Sequence, residues 1–477
     1  MTPADHAAAI LAWFGDRSLA EVSAGLPGAD LLGHADALAD AADSANEVLR
    51  GNGLKALFAG LVEPLNDGFS PAGRAVYAHV FARIVHRVAV RDPALRAGLE
   101  RFGVVAEGDL RARYAAARAG TAAAPAAARR IAVCSRVTIG ADILLSSVVL
   151  QRLHQRYPQA TLRLVGDAKL APLLGGLPQV EVQGIRYGRR GPLRERLASW
   201  LSVVDAVADC DLVVAPDSRL DQLGILPLTS DPARYHLWEN TLPEGAPPRS
   251  LAESLDDWLC ERFAPVWGRR CLPALGFDAP TRAIAARWAA AFAGRPVCAV
   301  KLDHGGNPAK ALARDQEVAV LRALLDRGWT ILLDRGFGAE ELASSDALLD
   351  EAGLSACDLD DSGTGLGRPV DSIDAASLAG HNILRFHGSI AGWAAAVSAC
   401  AHAISYDSVG HHLAAALGVP VTVAFTGHGH AAFPIAWQPR GQGVVDVVVI
   451  DPARKRTALE GLLPRPEGSV RRPTGAP

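Results

Sequence analysis

Several features that would place this sequence in a common class of protein are absent from it. No apolar run approaches the ~20 residues that a membrane-spanning helix needs, and the N-terminus has no charged-then-apolar secretion signal. The formal net charge is only −3 at pH 7, so no bulk positive charge would hold a nucleic acid. The seven cysteines are scattered and never form a C-x-x-C pair, which is typical of reduced thiols. We therefore expect a soluble, cytoplasmic protein with no nucleic-acid partner.

The length and composition provide for two or three domains with a large core. The chain has 477 residues, of which 49% are hydrophobic and 21% are charged, which excludes global disorder. Residues 1–118 have helical periodicity and no convincing strand, so they predict an all-helical accessory domain. Its clearest helix follows the cap pair Ser70-Pro71. The arginines off the apolar stripe of that helix predict either a solvated basic face or a docking surface for an acceptor or an anionic membrane. An Ala-rich linker is predicted at 119–130.

From residue 131 the hydrophobic pattern changes to short strands that alternate with helices. This alternation is typical of a parallel sheet with right-handed crossovers, and it starts again after the helix TRAIAARWAAAFAG. We expect two doubly wound, Rossmann-like α/β domains at 131–280 and 281–463, which face each other across a cleft. A disordered tail is predicted at 464–477.

Three loops at predicted strand ends carry polar residues, and each allows two interpretations. In the first, VTIGADILLSS, Gly140 and Ala141 form the turn and Asp142 begins a helix. Asp142 is either an N-terminal cap, which would stabilise the helix by ~1 kcal/mol, or a general base at the mouth of the cleft. Asp217, in VVAPDSR at another strand end, is the rival base or an acceptor contact.

The second loop, KLDHGGNPAKALARDQ, combines a glycine pair with a lysine. Gly305 and Gly306 allow close backbone approach, Asn307 can form hydrogen bonds, and Lys310 brings a mobile cation. A lysine near glycines at a strand end suits a phosphate, and a solvated loop is the alternative. The phosphate-loop pattern G-x-x-x-x-G-K-[ST] is absent, so a nucleotide hydrolase has no support.

The third loop lies in ISYDSVGHHLAAALGVPVTVAF, between two apolar runs. The pattern predicts a strand, a turn, a helix from His411 to Leu417 and another strand, which together form one unit of a parallel sheet. The free N–H groups at the start of such a helix attract an anion. The alternatives are that Asp407 and Ser408 only cap the helix and that His412 is a satisfied core histidine.

Metal binding has little support in the sequence. His411 and His412 are adjacent and would point in different directions on a helix, and His428 and His430 in TGHGH have no companion cysteine or carboxylate pattern. The D-x-D at 358–360 lies in the hydrophilic stretch CDLDDSGTG, where a solvated turn is expected. We therefore expect no metal and no bound cofactor.

Together these loops resemble the heptosyltransferase-like glycosyltransferases (glycosyltransferase family 9), which have the GT-B fold. The stretches that carry the resemblance are GADILLSSVVLQRLHQRYPQATLRLVG and DSVGHHLAAALGVPV, and the match covers about 131 to 440. The resemblance implies that Asp142 is the catalytic base, that the C-terminal domain binds a nucleotide-sugar donor and that the preceding α/β domain binds the acceptor. The donor-binding residues that it implies are Gly306, Asn307, Lys310, Gly388, Asp407, Ser408, Val409, Gly410 and His412, and the implied acceptor-side residues are Gly140 and Asp217.

The resemblance implies an inverting, metal-independent transferase, with ADP-heptose as the expected donor and lipopolysaccharide core or another glycan as the acceptor. An acceptor protein such as an adhesin or a flagellar protein is the alternative, because the helical domain would fit protein docking. The basic stretch RYGRRGPLRER (186–196) is either a contact for phosphates of an acceptor or of the cytoplasmic membrane face, or a solvated loop. Ala141 and Val409 replace glycines of the family pattern, so a degenerate, non-catalytic binding module is a further alternative. An epimerase of the same architecture is disfavoured by the run D-S-x-x-x-H-L-A-A-A.

Overall fold

The computed structural model describes residues 1–25, 28–120, 123–188, 191–263, 269–302, 307–336, 338–451 and 459–464. Its N-terminal part, called the helical region here, consists of the helices Pro3–Phe14, Leu19–Ala24, Ala29–Ala42, Glu47–Leu57, Phe58–Val62 (a π-helical turn), Glu63–Asp67, Pro71–Arg91, Pro93–Glu100 and Glu107–Ala119. The long helix begins where the sequence predicts it, because Ser70 Oγ accepts a hydrogen bond of 2.8 Å from the N–H of Gly73. The predicted disordered tail lies, apart from Pro464, outside the described residues.

Five parallel strands form the first sheet among the residues that the structure describes. They are β1 (Arg130–Cys134), β2 (Thr161–Gly166), β3 (Val180–Gly184), β4 (Leu212–Pro216) and β5 (Tyr235–Trp238). Their order in the sheet is β3-β2-β1-β4-β5. The helical segments of this part are Ile139–Ala141, Asp142–Ser146 (π-helical), Ser147–Arg156, Ala168–Leu170, Ala171–Leu174, Leu193–Val207, Pro232–Arg234 and Leu251–Phe263.

The second sheet has eight parallel strands in the described part of the chain. They are β6 (Val297–Lys301), β7 (Thr330–Asp334), β8 (Cys357–Asp360), β9 (Arg368–Pro369), β10 (Ile383–His387), β11 (His402–Tyr406), β12 (Val421–Phe425) and β13 (Val445–Val449). Their order is β13-β12-β11-β6-β7-β10-β8-β9. The helices of this part are Ala279–Ala291, Pro308–Lys310, Arg314–Asp326, Ala339–Ala352, Val370–Ser372, Ile390–Val397, Val409–Ala416, Phe433–Ala436 and Leu459–Leu462.

The expectation of a solvated turn for the D-x-D at 358–360 is wrong, because these residues belong to strand β8. Both carboxylate oxygens of Asp358 accept hydrogen bonds from Arg385 of the neighbouring strand β10, at 2.6 and 2.9 Å. Asp360, the last residue of β8, accepts hydrogen bonds from Ser362, Thr364 and Gly365 in the following turn. A long-range ion pair therefore holds a polar sequence in the sheet.

The helical region and the first sheet share one hydrophobic core. Ala132 and Cys134 of β1 belong to the same buried cluster as Tyr77 of the long helix. Ile131 and Val133 belong to a second cluster, which also contains apolar residues of the second sheet and its helices. Because side chains alternate across a strand, β1 is buried on both faces, by the helical region on one side and by the other α/β elements on the opposite side.

The carboxyl ends of the two sheets face each other. Gly140, in the turn after β1, lies against the helix Val409–Ala416 that follows β11. A Cβ added to Gly140 would lie 3.1 Å from Cδ2 of His412 and 3.4 Å from Cα of Val409. This arrangement confirms the predicted fold class, a GT-B fold with two α/β domains that face a cleft behind an all-helical N-terminal region.

Carboxylates inside the helical region engage the predicted basic face of the long helix. Arg83 forms two hydrogen bonds of 2.8 Å with Asp36, and Arg87 forms hydrogen bonds of 2.8 and 2.6 Å with Asp40. Arg91 also donates to Asp40, at 2.7 Å. Much of the positive charge on this face is therefore neutralised, which weakens the case for a surface that attracts an anionic partner.

The basic stretch 186–196, of which residues 189 and 190 lie outside the described part, is tied to the helical region. Arg194 forms an ion pair with Asp43 at 3.4 Å, and the guanidinium of Arg196 lies 3.4 Å from the centroid of the Phe58 ring. Two of its arginines therefore hold the helical region against the first α/β domain. Among the described helices, none is both long and apolar enough to cross a membrane.

Candidate active site

Each sheet has a topological switch point at its centre. In the first sheet the order of strands reverses between β1 and β4, and in the second it reverses between β6 and β11. Ligands of open α/β sheets bind in the crevice outside the carboxyl ends of the strands at such points. Asp142 and Asp217 follow β1 and β4, and Lys310 and Asp407 follow β6 and β11. The fold therefore brings four of the predicted site residues to the two switch points.

The turn after β11 is ordered by local hydrogen bonds. Ser408 is the N-cap of the helix Val409–Ala416: its N–H donates to Nδ1 of His411 at 3.1 Å, and its Oγ accepts from the N–H of Gly410 at 3.4 Å. Val409 is the first residue of the helix, and a right-handed helical backbone does not need a glycine. The replacement of a glycine by Val409 therefore does not strain this turn.

Gly410 allows the helix to approach the second sheet closely. A Cβ at this position would lie 2.9 Å from Cδ of Lys301 and 2.9 Å from Oγ of Ser405. Lys301 is the last residue of β6, and its ammonium group is ion-paired to Asp334 of β7. The absence of a side chain at Gly410 thus places the start of the helix directly over the crevice between β6 and β11.

Lys310 is held at the start of this helix by Asp407. Its Nζ donates to Oδ2 of Asp407 at 2.6 Å and to the carbonyl oxygen of Asp407 at 3.2 Å, and its side chain is 25% exposed. Asn307 orders the preceding turn, because its side-chain oxygen accepts the N–H of Ala309 at 3.1 Å. Gly306 lies outside the described residues. A partly exposed ammonium group beside the positive end of a helix is a suitable environment for a phosphate.

Two buried histidines lie under the same turn. The ring centroids of His411 and His412 are 3.9 Å apart. Burial lowers the pKa of both, and that of His412 is well below its usual value because His411 and Lys310 act in the same direction. Nδ1 of His412 has no hydrogen-bond partner among the described residues, so this side chain does not match the interpretation of a satisfied core histidine.

Asp142 lies beneath the turn that follows β1 and is 1% exposed. Its Oδ1 accepts hydrogen bonds from the N–H of Arg136 at 2.8 Å and from Oγ of Ser146 at 2.6 Å, and its Oδ2 accepts one from Oγ of Ser135 at 2.6 Å. Burial raises the pKa of Asp142, although these hydrogen bonds act against the rise. The carboxylate therefore fixes the turn, and a substrate reaches it only if the surrounding groups move.

Asp217 is the centre of a buried ion-pair network. Arg74 of the helical region donates to one carboxylate oxygen and Arg136 donates to the other, and Arg74 also donates to Asn240 at 2.7 Å. The charges of these arginines outweigh the effect of burial and hold the pKa of Asp217 below its usual value. Arg136 in turn lies over the ring of Trp437, at 5.5 Å from its centroid. Asp217 therefore does not fit the role of rival base, because both of its oxygens are engaged.

Gly388 is not brought next to Asp407. It follows β10, which is separated from β11 by β6 and β7. A Cβ at Gly388 would lie 2.5 Å from Cβ of Asp361, so a glycine is required here for packing. The position of Gly388 therefore does not support a direct contact with a ligand bound at the turn of Asp407.

Comparisons with known proteins identify similar solved structures. No protein-family model matches the chain, and no curated protein matches it. A family 9 glycosyl transferase from Veillonella parvula has 14% identity and a TM-score of 0.48, with 69% of this chain and 87% of that chain covered. The E. coli ADP-heptose lps heptosyltransferase II has 17% identity and a TM-score of 0.47, with 70% and 97% covered. The E. coli heptosyltransferase WaaC with ADP has 15% identity and a TM-score of 0.45, with 69% and 95% covered. At these low identities the likeness concerns the fold of the chain and not its activity.

The helical region contributes to the junction between the two sheets, which sequence reasoning missed. Phe69 packs edge-on against the ring of His430, with centroids 6.3 Å apart and planes at 73°. Its carbonyl oxygen accepts the N–H of Leu242 at 2.7 Å. One signal was available in the sequence: Arg74 precedes Tyr77 and Phe81 by three and seven residues, which places a charge on the apolar stripe of the long helix.

Backbone strain is concentrated in the turn before the long helix and in the loops that follow β1 and β4. Among the described residues, six other than glycine have a positive φ, and only Gln179 of these lies elsewhere. Such conformations are costly for residues with a side chain, and they cluster at functional sites. The five residues in these segments, with φ between 50° and 71°, are Phe69, Val137, Asp217, Gln222 and Leu223.

Histidine and carboxylate side chains near the junction do not form a metal centre in the part of the chain that the structure describes. No group of three or more His, Cys, Asp or Glu side chains is arranged there to hold a metal ion. His430 accepts the N–H of Ala432 through Nδ1 at 3.2 Å. Lys310 and the start of the helix Val409–Ala416 supply positive charge to a ligand at the turn of Asp407.

Proposed function

We propose that this chain is a glycosyltransferase that moves a sugar from a nucleotide diphosphate to a hydroxyl group of an acceptor. The observation that carries the proposal is the meeting of two strand-end turns. The turn of Asp407 and Lys310, which suits an anion, faces the turn of Gly140 and Asp142 across the cleft. A transferase needs this division between a donor side that binds phosphates and an opposite side that positions an acceptor.

The donor would bind with its diphosphate at the start of the helix Val409–Ala416. The first N–H groups of the helix have no partners within it, and the positive end of the helix dipole favours a negative charge. Lys310 would exchange part of its ion pair with Asp407 for the phosphate oxygens. As the glycosidic bond breaks, negative charge grows on the leaving diphosphate, and these groups stabilise it where it develops.

Inversion requires a base on the face of the sugar opposite the leaving group. The resemblance implies Asp142 for this role, but its carboxylate is buried beneath the turn that follows β1. It accepts three hydrogen bonds. One of the roughly four acceptor positions of a carboxylate therefore remains. Movement of the two domains would have to expose it.

ADP-heptose and a lipopolysaccharide-core acceptor are proposed from the resemblance as the first substrates to test. An acceptor protein is the second candidate, and the contribution of the helical region to the junction favours it, because that region would contact whatever enters the cleft. The helical backbone at Val409 removes one argument for a degenerate, non-catalytic module. From the sequence we propose a cytoplasmic enzyme, with peripheral association at the cytoplasmic membrane face as the alternative.

A panel of ADP-, UDP-, GDP- and dTDP-sugars, including ADP-heptose, tests donor binding by thermal shift. A ligand at 100 times its dissociation constant adds about 2.7 kcal/mol to the free energy of unfolding, which gives a measurable rise in Tm. Release of the nucleoside diphosphate is then measured with core oligosaccharide and with unfolded acceptor proteins. Donor binding without release under either condition would favour the non-catalytic module, and no binding of any nucleotide sugar would contradict the proposal.

A further inference from the structure

The helical region brings the carboxylate of Asp67 to the junction, and the function proposed above assigns no role to this residue. On the basis of the proposed function, we infer that Asp67 is the general base that removes the proton from the acceptor hydroxyl. This residue lies outside the stretch that resembles known glycosyltransferases. The helical region would then supply a catalytic residue in addition to covering the first sheet.

The turn that contains Asp67 is fixed between the two α/β domains. Asp67 ends the helix Glu63–Asp67, and the long helix begins only four residues later. Phe69 anchors the turn on one side through its carbonyl oxygen, which accepts the N–H of Leu242 at 2.7 Å. Its ring anchors the other side against His430 of the second domain. The turn therefore reaches the point where the carboxyl ends of the two sheets meet.

The charged groups that act on Asp67 come from all three parts of the molecule. Glu63 lies on its own helix, Arg136 and Arg219 follow β1 and β4, and Asp407 follows β11. Burial, Glu63 and Asp407 raise the pKa of Asp67 to about 7, against the opposing effect of the two arginines. A carboxyl group with such a pKa is a suitable base at neutral pH.

Asp67 is also free to react, in contrast to the other carboxylates of the junction. Its side chain is partly exposed, and among the described residues no donor forms a hydrogen bond with it. Asp142 accepts three hydrogen bonds, Asp217 is engaged by two arginines, and Asp407 is bound by Lys310. Of these four carboxylates, Asp67 is the one that a substrate hydroxyl can approach without first breaking an existing bond.

The step balances with the two substrates alone. The carboxylate of Asp67 accepts the proton of the acceptor hydroxyl while the oxygen forms a bond to the anomeric carbon of the sugar. The bond between that carbon and the diphosphate breaks, and its electron pair leaves with the nucleoside diphosphate beside Lys310. Asp67 then releases the proton to solvent, and no further reactant is needed.

The test uses the full-length protein and a nucleotide sugar from the panel above, chosen because the wild type turns it over. The readout is release of the nucleoside diphosphate. We expect Asp67→Asn to lower kcat by about 10²- to 10⁴-fold with little change in donor affinity. In the wild type kcat should fall below pH 7 as Asp67 becomes protonated, and this acid limb should disappear in Asp67→Asn. Glu63→Gln removes a neighbouring negative charge and should move the acid limb to lower pH. Asp16→Asn, an exposed aspartate elsewhere in the helical region, should behave as the wild type.

The outcomes separate this inference from the proposed function. If the wild type turns over no nucleotide sugar, the proposed function fails and the inference fails with it. If the wild type is active and Asp67→Asn keeps both its kcat and its acid limb, the inference alone is wrong. Asp142 would be the base instead if Asp142→Asn loses activity while Asp67→Asn retains it. Thermal unfolding has to show a folded protein for both variants.

Discussion

Lys310 is a residue whose contribution to binding and to stability can be separated. Its ion pair with Asp407 is partly exposed, so it contributes at most about 1 kcal/mol to the free energy of unfolding. A hydrogen bond from an ammonium group to a phosphate is worth about 1.5–3 kcal/mol. We therefore expect Lys310→Ala to weaken donor binding by about 10- to 100-fold with a small change in Tm, as measured by calorimetric titration and thermal unfolding.

The matched control for this variant is Lys169→Ala, which removes an exposed lysine from the other α/β domain. Lys169→Ala should change neither the donor affinity nor the Tm. Equal donor affinity in Lys310→Ala and in the wild type would show that the diphosphate does not bind at the start of the helix Val409–Ala416.

Asp67 makes the stability of the protein depend on pH in a defined direction. Its pKa is about 7 in the folded protein, compared with an ordinary value of 3.8. Between these values the folded protein holds a proton that the unfolded chain has released, so the free energy of unfolding falls as the pH rises from about 4 to about 7. The side chain is partly exposed to water, which reduces the effect, and we expect a loss on the order of 1–2 kcal/mol. Asp67→Asn should therefore be more stable than the wild type at pH 8 and should lose this advantage at pH 4. Thermal unfolding at both pH values measures this, and a lower Tm of the variant than of the wild type at pH 8 would contradict the prediction.

At the scale of elements, the contact between the turn Ile139–Ala141 and the helix Val409–Ala416 controls how closely the two domains approach. A Cβ at Gly140 would already lie 3.1 Å from Cδ2 of His412. Gly140→Val should therefore hold the domains apart, and a displacement of about 1 Å between reacting groups lowers a rate by about 10²-fold. We expect a loss of kcat with unchanged donor affinity. Gly188→Val is the control, because an added Cβ there meets no atom within 4 Å.

Elements with strong local signals could be predicted from the sequence. The sequence predicts the helix after β11 at His411 to Leu417, and the structure has it at Val409–Ala416, with Gly418 at a φ of 75° after its end. Strand β8 could not be predicted, because its acidic residues favour a turn locally. It is held in the sheet by the pair between Asp358 and Arg385, which are 27 residues apart.

The same limit applies to the site. The sequence predicts the two strand-end turns as a candidate site, since glycine, lysine and acidic residues at the carboxyl ends of strands are typical of ligand sites. The engagement of Asp217 by Arg74 could not be predicted, because the two residues are 143 positions apart and lie in different parts of the molecule. The position of Asp67 was missed for the same reason: only the packed structure brings the helical region to the cleft.

At the scale of the whole molecule, the shared core indicates that the helical region and the first sheet fold together. Each residue of β1 from Ile131 to Cys134 is buried, and two of the four, Ala132 and Cys134, are covered by the cluster that contains the helical region. Removal of residues 1–118 would expose this face and would leave Asp217 with Arg136 as its remaining partner. Breaking a buried ion pair by removal of one partner costs about 3–5 kcal/mol. This is a large fraction of the free energy of unfolding of a domain, which is about 5–15 kcal/mol.

We therefore expect the truncated chain 119–477 to aggregate or to show no cooperative unfolding transition of its first α/β domain, whereas the complete chain unfolds that domain and the helical region together. Differential scanning calorimetry of both proteins measures this directly. Arg74→Met in the complete chain keeps the apolar contacts and removes the ion pair with Asp217 together with the hydrogen bond to Asn240. It should lower the free energy of unfolding by about 3–5 kcal/mol without loss of solubility. A soluble truncated protein whose first domain unfolds at the wild-type temperature would show that the helical region is an independent attachment. In that case its contacts at the junction would contribute to the site without supporting the fold.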